Sequence, residues 1–145
     1  MHFAGSAEFV ADRDDVWNFL IDPSNFGPCA PVPIKKVDGR HYRAQTRLGS
    51  GLFSATVTIE LEVTDVQEGR SARLVGRGGA SGTTIEGSTT FTLRDGLIDG
   101  TTVVDWEADF TLSGMFAGAA AKIIDDRAQE AMDQLLECLH RQIED

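Results

Sequence analysis

The sequence predicts an α+β domain in which a curved, seven-stranded antiparallel sheet wraps around one long C-terminal helix, with two short helices after the first strand. Three observations predict it. An apolar stripe at three- and four-residue steps runs from about residue 115 to 144 through Phe116, Ala119, Ala120, Ile123, Ile124, Ala128, Ala131, Leu135 and Leu139, the pattern of a helix with one buried face. Glycine turns at Asp38-Gly39, Glu68-Gly69, Asp95-Gly96 and Asp99-Gly100 cut the middle of the chain into short lengths. Within those lengths apolar and polar residues alternate with period two, so one face packs and the other meets water.

Each element follows in order. Residues 2–10 read as a strand. Asp12 reads as a helix N-cap, with Val16, Trp17, Phe19 and Leu20 behind it at helical spacing. Asp22-Pro23 breaks that helix and can open a second short one, since proline is tolerated in a first helical turn. Pro28, Pro31 and Pro33 then forbid a long continuation. Strands are expected near 34–37, 41–48, 52–66, 70–78, 84–94 and 101–113, joined as antiparallel hairpins. Phe53, Ala55, Val57, Ile59, Leu61 and Val63 share one face of the 52–66 strand. Ile85, Gly87, Thr89, Phe91 and Leu93 share a face of the next but one, and Val104, Trp106, Ala108, Phe110 and Leu112 a face of the last. The terminal helix begins with small residues, Ala117 to Ala121, and ends with bulky ones, Met132, Leu135, Leu136 and Leu139. Small residues leave room, so a cavity mouth is expected against the first half.

Length and composition fit one globular domain spanning residues 1–145, with 41% hydrophobic and 25% charged residues. No apolar stretch approaches the roughly 18 residues of a membrane span. The N-terminal residues lack the basic and apolar regions of a signal peptide, so a cytoplasmic location is expected. A net charge of −10 opposes binding to nucleic acid or to anionic lipid. Lys35, Lys36, Arg40, Arg43 and Arg47 nonetheless cluster, and read either as a solvated face or as a docking patch.

Motifs of catalysis and metal binding are sparse. Cys29 and Cys138 lie far apart without CxxC spacing and read as free, partly buried thiols. His2, His41 and His140 are scattered, and no metal site is expected. The glycines at 76, 78, 79 and 82 lack the Lys-Ser/Thr of a phosphate loop and precede a strand, which suggests a flexible hairpin with bulges. No serine sits in a nucleophile elbow. Asp105, Glu107 and Asp109, like Glu60 and Glu62, fall on polar strand faces. On the apolar faces the polar candidates are Tyr42, Thr46, Thr89 and Thr102.

Residues 11–23, Ala-Asp-Arg-Asp-Asp-Val-Trp-Asn-Phe-Leu-Ile-Asp-Pro, resemble the opening signature of the START-like, pollen-allergen-like superfamily, also called helix-grip or SRPBCC. Within it, Cys29-Ala30-Pro31 and the glycines at 76, 78, 79, 82 and 87 are similar to the Cys-Ile-Pro-Gly motif and glycine-rich hairpin of the G subunit of carbon monoxide dehydrogenase. The resemblance implies a hydrophobic cavity between sheet and helix. It also implies association with a molybdenum-containing hydroxylase, with roles in membrane recruitment and in carrying a quinone. Two departures stand out: Ala30-Pro31-Val32-Pro33 lacks the family's glycine, and the sequence stops at Ile143-Glu144-Asp145 without an anchoring extension. Membrane contact is therefore expected to be peripheral at most, with recruitment to the inner face of the membrane through partners.

The function expected is that of a non-catalytic carrier or accessory subunit binding a hydrophobic small molecule, a bound quinone or lipid. The expected lining is Phe26, Tyr42, Phe53, Val57, Ile59, Leu74, Phe91, Trp106, Phe110, Phe116, Ala120 and Ile123, whose aromatic faces would stack on a flat ring. Tyr42 or a threonine hydroxyl would bond a ligand carbonyl. The alternatives are a cyclase or dehydratase acting on an aromatic or polyketide substrate in the same cavity, and a docking subunit with a filled core.

Overall fold

A computed structural model describes residues 1–29, 33–48, 55–80 and 82–144. The chain runs β1 (His2–Phe9), α1 (Arg13–Leu20), a 3-10 turn (Pro23–Phe26), β2 (Ile34–Asp38), β3 (His41–Leu48), β4 (Ala55–Gln67), β5 (Ser71–Ala80), β6 (Thr83–Asp95), β7 (Thr102–Gly114) and α2 (Ala117–Glu144). All seven strands form one antiparallel sheet in the order β1-β7-β6-β5-β4-β3-β2. The hairpins β2 to β7 follow in sequence, and β1 closes the far side by pairing with β7. The edges are therefore β1 and β2. No described helix is long and apolar enough to cross a membrane.

The period-two pattern becomes rows of side chains across the concave face. Val63, Leu74, Thr89, Ala108 and Phe3 stand in register on β4, β5, β6, β7 and β1. The next row toward α1 is Ala72, Phe91, Trp106 and Gly5. Helix α2 packs on β7 and β1, while α1 packs on β6 and on α2. The core gathers Phe9, Val16, Trp17, Leu20, Leu93, Val104 and Leu139. Two polar groups there are partnered: Thr102, fully buried, donates to the Ala11 carbonyl at 2.8 Å, and the Trp17 indole donates to Glu68 at 3.0 Å.

Two expectations are corrected here. Cys29 and Cys138 are not free thiols. They form a disulfide between residues 109 apart in sequence, with Cα atoms 5.5 Å apart. It ties the segment after the 3-10 turn to the second half of α2. The glycine-rich segment is not bulged: β5 and β6 stay in unbroken register from Ser71 opposite Thr92 to Ala80 opposite Thr83. Its glycines are needed for close approach. A Cβ on Gly87 would stand 2.4 Å from the Cβ of Phe110, so only glycine lets the neighbouring strand carry that ring. The register shifts lie elsewhere, between Lys36 and Asp38 and between Thr64 and Gln67, where Asp65 takes a positive φ of 51°.

Candidate ligand cavity

Between the sheet, α1, the 3-10 turn and the second half of α2 lies a cavity of about 250 Å³. Its floor is the two rows just described: Val63, Leu74, Thr89 and Ala108, then Phe91 and Trp106, with Val104, Ala7 and Phe9 beyond. Its roof is Met132, Leu135, Leu136 and Leu139 of α2, and its side is Leu20, Pro23 and Phe26. The Phe26 ring leans on Phe19, with centroids 5.9 Å apart, and Phe91 is held at 5.9 Å by the Trp17 ring. Arg73 also borders the space, but its guanidinium donates to the Ser88 hydroxyl at 3.1 Å, and Arg73 itself is exposed. The walls are thus apolar apart from the Thr89 hydroxyl.

A more open apolar trough of about 440 Å³ adjoins the cavity. Ala108, Met132 and Leu135 belong to both, and Phe3, Phe110, Ile124, Ala128 and Ala131 extend the trough along α2. A third depression of about 140 Å³, over Ile59, Leu61, Gly76, Ile85 and Gly87, shares Leu74 and Thr89 with the cavity.

Of the lining expected from sequence, Phe26, Leu74, Phe91 and Trp106 come together around the cavity. Phe110 lies in the trough, and Ile59 in the third depression. Val57 borders none of these three spaces, and Phe116 is 57% exposed beside Gly82. Phe53 lies outside the described residues, as do the side chains of Ala120 and Ile123 on α2. The bulky second half of α2, where sequence reasoning expected filling, roofs the cavity, while the more open trough reaches Ile124 and Ala128 in the first half, where a mouth was expected. Ala7, Phe9, Val63, Val104 and Ala108 were missed, although the alternation that marked Phe91 and Trp106 also runs through them.

Tyr42 is buried, at 3% exposure, but it borders none of the three spaces described. Its hydroxyl bonds the Asp22 carboxylate, and burial together with that negative charge raises the phenol's pKa. Asp22 in turn accepts from the Ser24 amide at 3.0 Å, capping the 3-10 turn. Burial acts to raise the Asp22 carboxyl, but the bonds from Ser24 and Tyr42 and the nearby Lys36 charge outweigh it, and its pKa falls below 3.8. A depressed carboxyl stabilises the fold above its unfolded value and loses that contribution as pH falls through the folded value. Asp22→Ala is therefore expected to cost about 1 kcal/mol at pH 7, the usual worth of a cap. Urea titrations should show the gap from the parent narrowing as pH falls below the usual carboxylate range; an equal gap at pH 7 and in acid would mean that the carboxylate charge contributes nothing.

The remaining polar groups lie apart from the cavity. The three histidines are separate: His2 pairs with Asp109, His41 with Asp38 and Glu62, and His140 spans from Leu136 to the Glu8 carbonyl of β1. The basic cluster lies on the β2–β3 side, where Arg43 pairs with Glu60 at 2.6 Å. Lys35 and Lys36 sit on edge strand β2, where lysines discourage pairing with another sheet.

The same architecture recurs in solved structures. A conserved Geobacillus kaustophilus protein superposes with a TM-score of 0.81 at 18% identity, over 99% of this chain and 95% of that one. A Deinococcus radiodurans protein does so at 0.67 and 15%, over 99% and 98%. A Streptomyces aromatase/cyclase does so at 0.61 and 13%, over 99% and 95%. These likenesses establish the helix-grip fold alone. No curated protein matches the chain. The sequence profile of CoxG, the G subunit of carbon monoxide dehydrogenase, does match, over residues 5–144, nearly the whole chain, and on that ground the chain belongs to the CoxG family.

Proposed function

We propose that this protein is a non-catalytic accessory subunit that carries a hydrophobic molecule with a flat ring, of quinone type, for a molybdenum-containing hydroxylase such as carbon monoxide dehydrogenase. The observation that carries the reading is an apolar cavity of about 250 Å³ left in a small domain. Interiors normally pack to crystal density. The space opens onto the trough, so when it is empty its apolar walls stand against water, at a cost of about 25 cal/mol per Å² of wall. A ligand that fills it recovers much of that cost. Aromatic walls at Phe9, Phe26, Phe91 and Trp106 suit a planar ring, and the adjoining trough suits an aliphatic tail. Acid–base chemistry on a substrate would call for a titratable group facing the ligand, and the walls offer a threonine hydroxyl.

Solvent extraction of gently purified protein, followed by mass spectrometry, tests the reading. A stoichiometric quinone or lipid is expected. Added back at a hundred times its dissociation constant, it should stabilise the protein by about 2.7 kcal/mol. An empty extract, with no melting shift across a quinone panel, would overturn the carrier reading and leave a docking subunit in its place.

A further inference from the structure

We propose that the Thr89 hydroxyl selects the ligand, making the cavity prefer a flat ring that bears a hydrogen-bonding oxygen over a hydrocarbon ring of the same shape. The inference rests on the carrier reading and names the group that would give that carrier its specificity. Thr89 stands at the centre of a row whose other members, Val63, Leu74, Ala108 and Phe3, are all apolar. It borders both the cavity and the third depression. Among the described residues its hydroxyl has no hydrogen-bond partner, and it is not among the sealed, unpartnered atoms, so it is open to whatever occupies the space.

The other polar groups nearby cannot serve. The Trp106 indole N–H also lacks a partner, but it is sealed, lying 3.2 Å from where a Cβ on Gly5 would be. Arg73 alternates with the inward-facing Ala72 and Leu74, so its exposed guanidinium lies on the other face of the sheet, where it donates to Ser88. Among the described residues, Thr89 thus carries the unpartnered, accessible polar side-chain atom at the cavity wall. A hydroxyl donates one hydrogen bond and accepts two. In an empty cavity, water can meet that demand. A hydrocarbon expels the water and leaves the hydroxyl unpaired, whereas a ring carbonyl replaces the bond. Sites built this way discriminate through the unpaired group they leave with the wrong ligand.

The test compares 2-methylnaphthalene with its 1,4-quinone by calorimetric titration of the parent, Thr89→Val and Thr89→Ser. Valine keeps the shape and removes the hydroxyl; serine keeps the hydroxyl. The valine variant is expected to bind the quinone about tenfold more weakly and the hydrocarbon no more weakly than the parent. The serine variant should keep the parent's preference. If the valine variant loses affinity for both probes in equal proportion, or for neither, Thr89 does not select and the inference fails while the carrier reading stands. If the parent binds neither probe, both fail together. Circular dichroism of the valine variant separates lost binding from lost fold, and the hydrocarbon affinity gives a second check on an intact cavity.

Discussion

Loss of the Cys29–Cys138 bond is expected to lower the melting temperature by about 10–15 °C. The two residues are 109 apart in sequence, so the bond removes a very large loop from the freedom of the unfolded chain. Chain-entropy arguments give about 4.7 kcal/mol for a loop near 100 residues, and measured values cluster at about 2–4 kcal/mol. For a domain of this size each kcal/mol moves the melting temperature by about 3–4 °C. Location adds to the effect. The bond fastens the chain just beyond Phe26 to the turn of α2 that carries Leu135, Leu136 and Leu139, so it joins one side of the cavity to its roof. Cys138→Ser should therefore loosen ligand binding as well as the fold. Calorimetry with and without a dithiol reductant, alongside Cys138→Ser, measures both. Identical melting in all three samples, with two thiols titrating in the untreated protein, would show that the bond does not form. The result also bears on location. Cytoplasmic glutathione keeps most thiols reduced, and a structural disulfide sits uneasily with the cytoplasmic expectation drawn from the N-terminus. Alkylating intact cells before lysis reports which state the protein holds in vivo.

That bond illustrates what a sequence hides. Seven strands and a terminal helix were legible because alternation and glycine turns are local signals, and the face carrying Leu74, Phe91 and Trp106 followed from the same period. The glycine-rich hairpin misled only in its expected bulges, because a glycine inside a strand ordinarily suggests one. Here Gly76 pairs with Gly87, and the missing side chains let strands and rings approach within the sheet. The cavity's position was hidden for a different reason. Helical periodicity shows which stripe of α2 is buried, not how the helix lies across the sheet. Because α2 rests on β7 and β1, its bulky second half bridges a hollow over β5 and β6 and becomes a roof. Pairing of Cys29 with Cys138 depends on the same tertiary placement and leaves no trace in spacing.

Ala108→Trp is expected to weaken ligand binding at least a hundredfold while the fold survives. Ala108 stands in register between Thr89 and Phe3, and it belongs to both the cavity and the trough. An indole there would occupy the space a planar ligand needs and close the passage along Met132 and Leu135. The energetic balance separates this change from ordinary overpacking. In a filled core an added ring costs about 1–3 kcal/mol because neighbours must move. Here the ring enters space already present, and each void it fills recovers part of the cavity cost, so the melting temperature should stay within a few degrees of the ligand-free parent. Leu97→Trp at the fully exposed β6–β7 tip controls for an added indole as such, and should bind as the parent does. Titration of all three proteins with the 1,4-quinone of 2-methylnaphthalene decides the matter. A variant that melts like the parent yet no longer binds would assign the ligand to this cavity. One that melts like the parent and binds as tightly would place the ligand elsewhere on the chain, because the added indole would stand where the planar ring is proposed to lie.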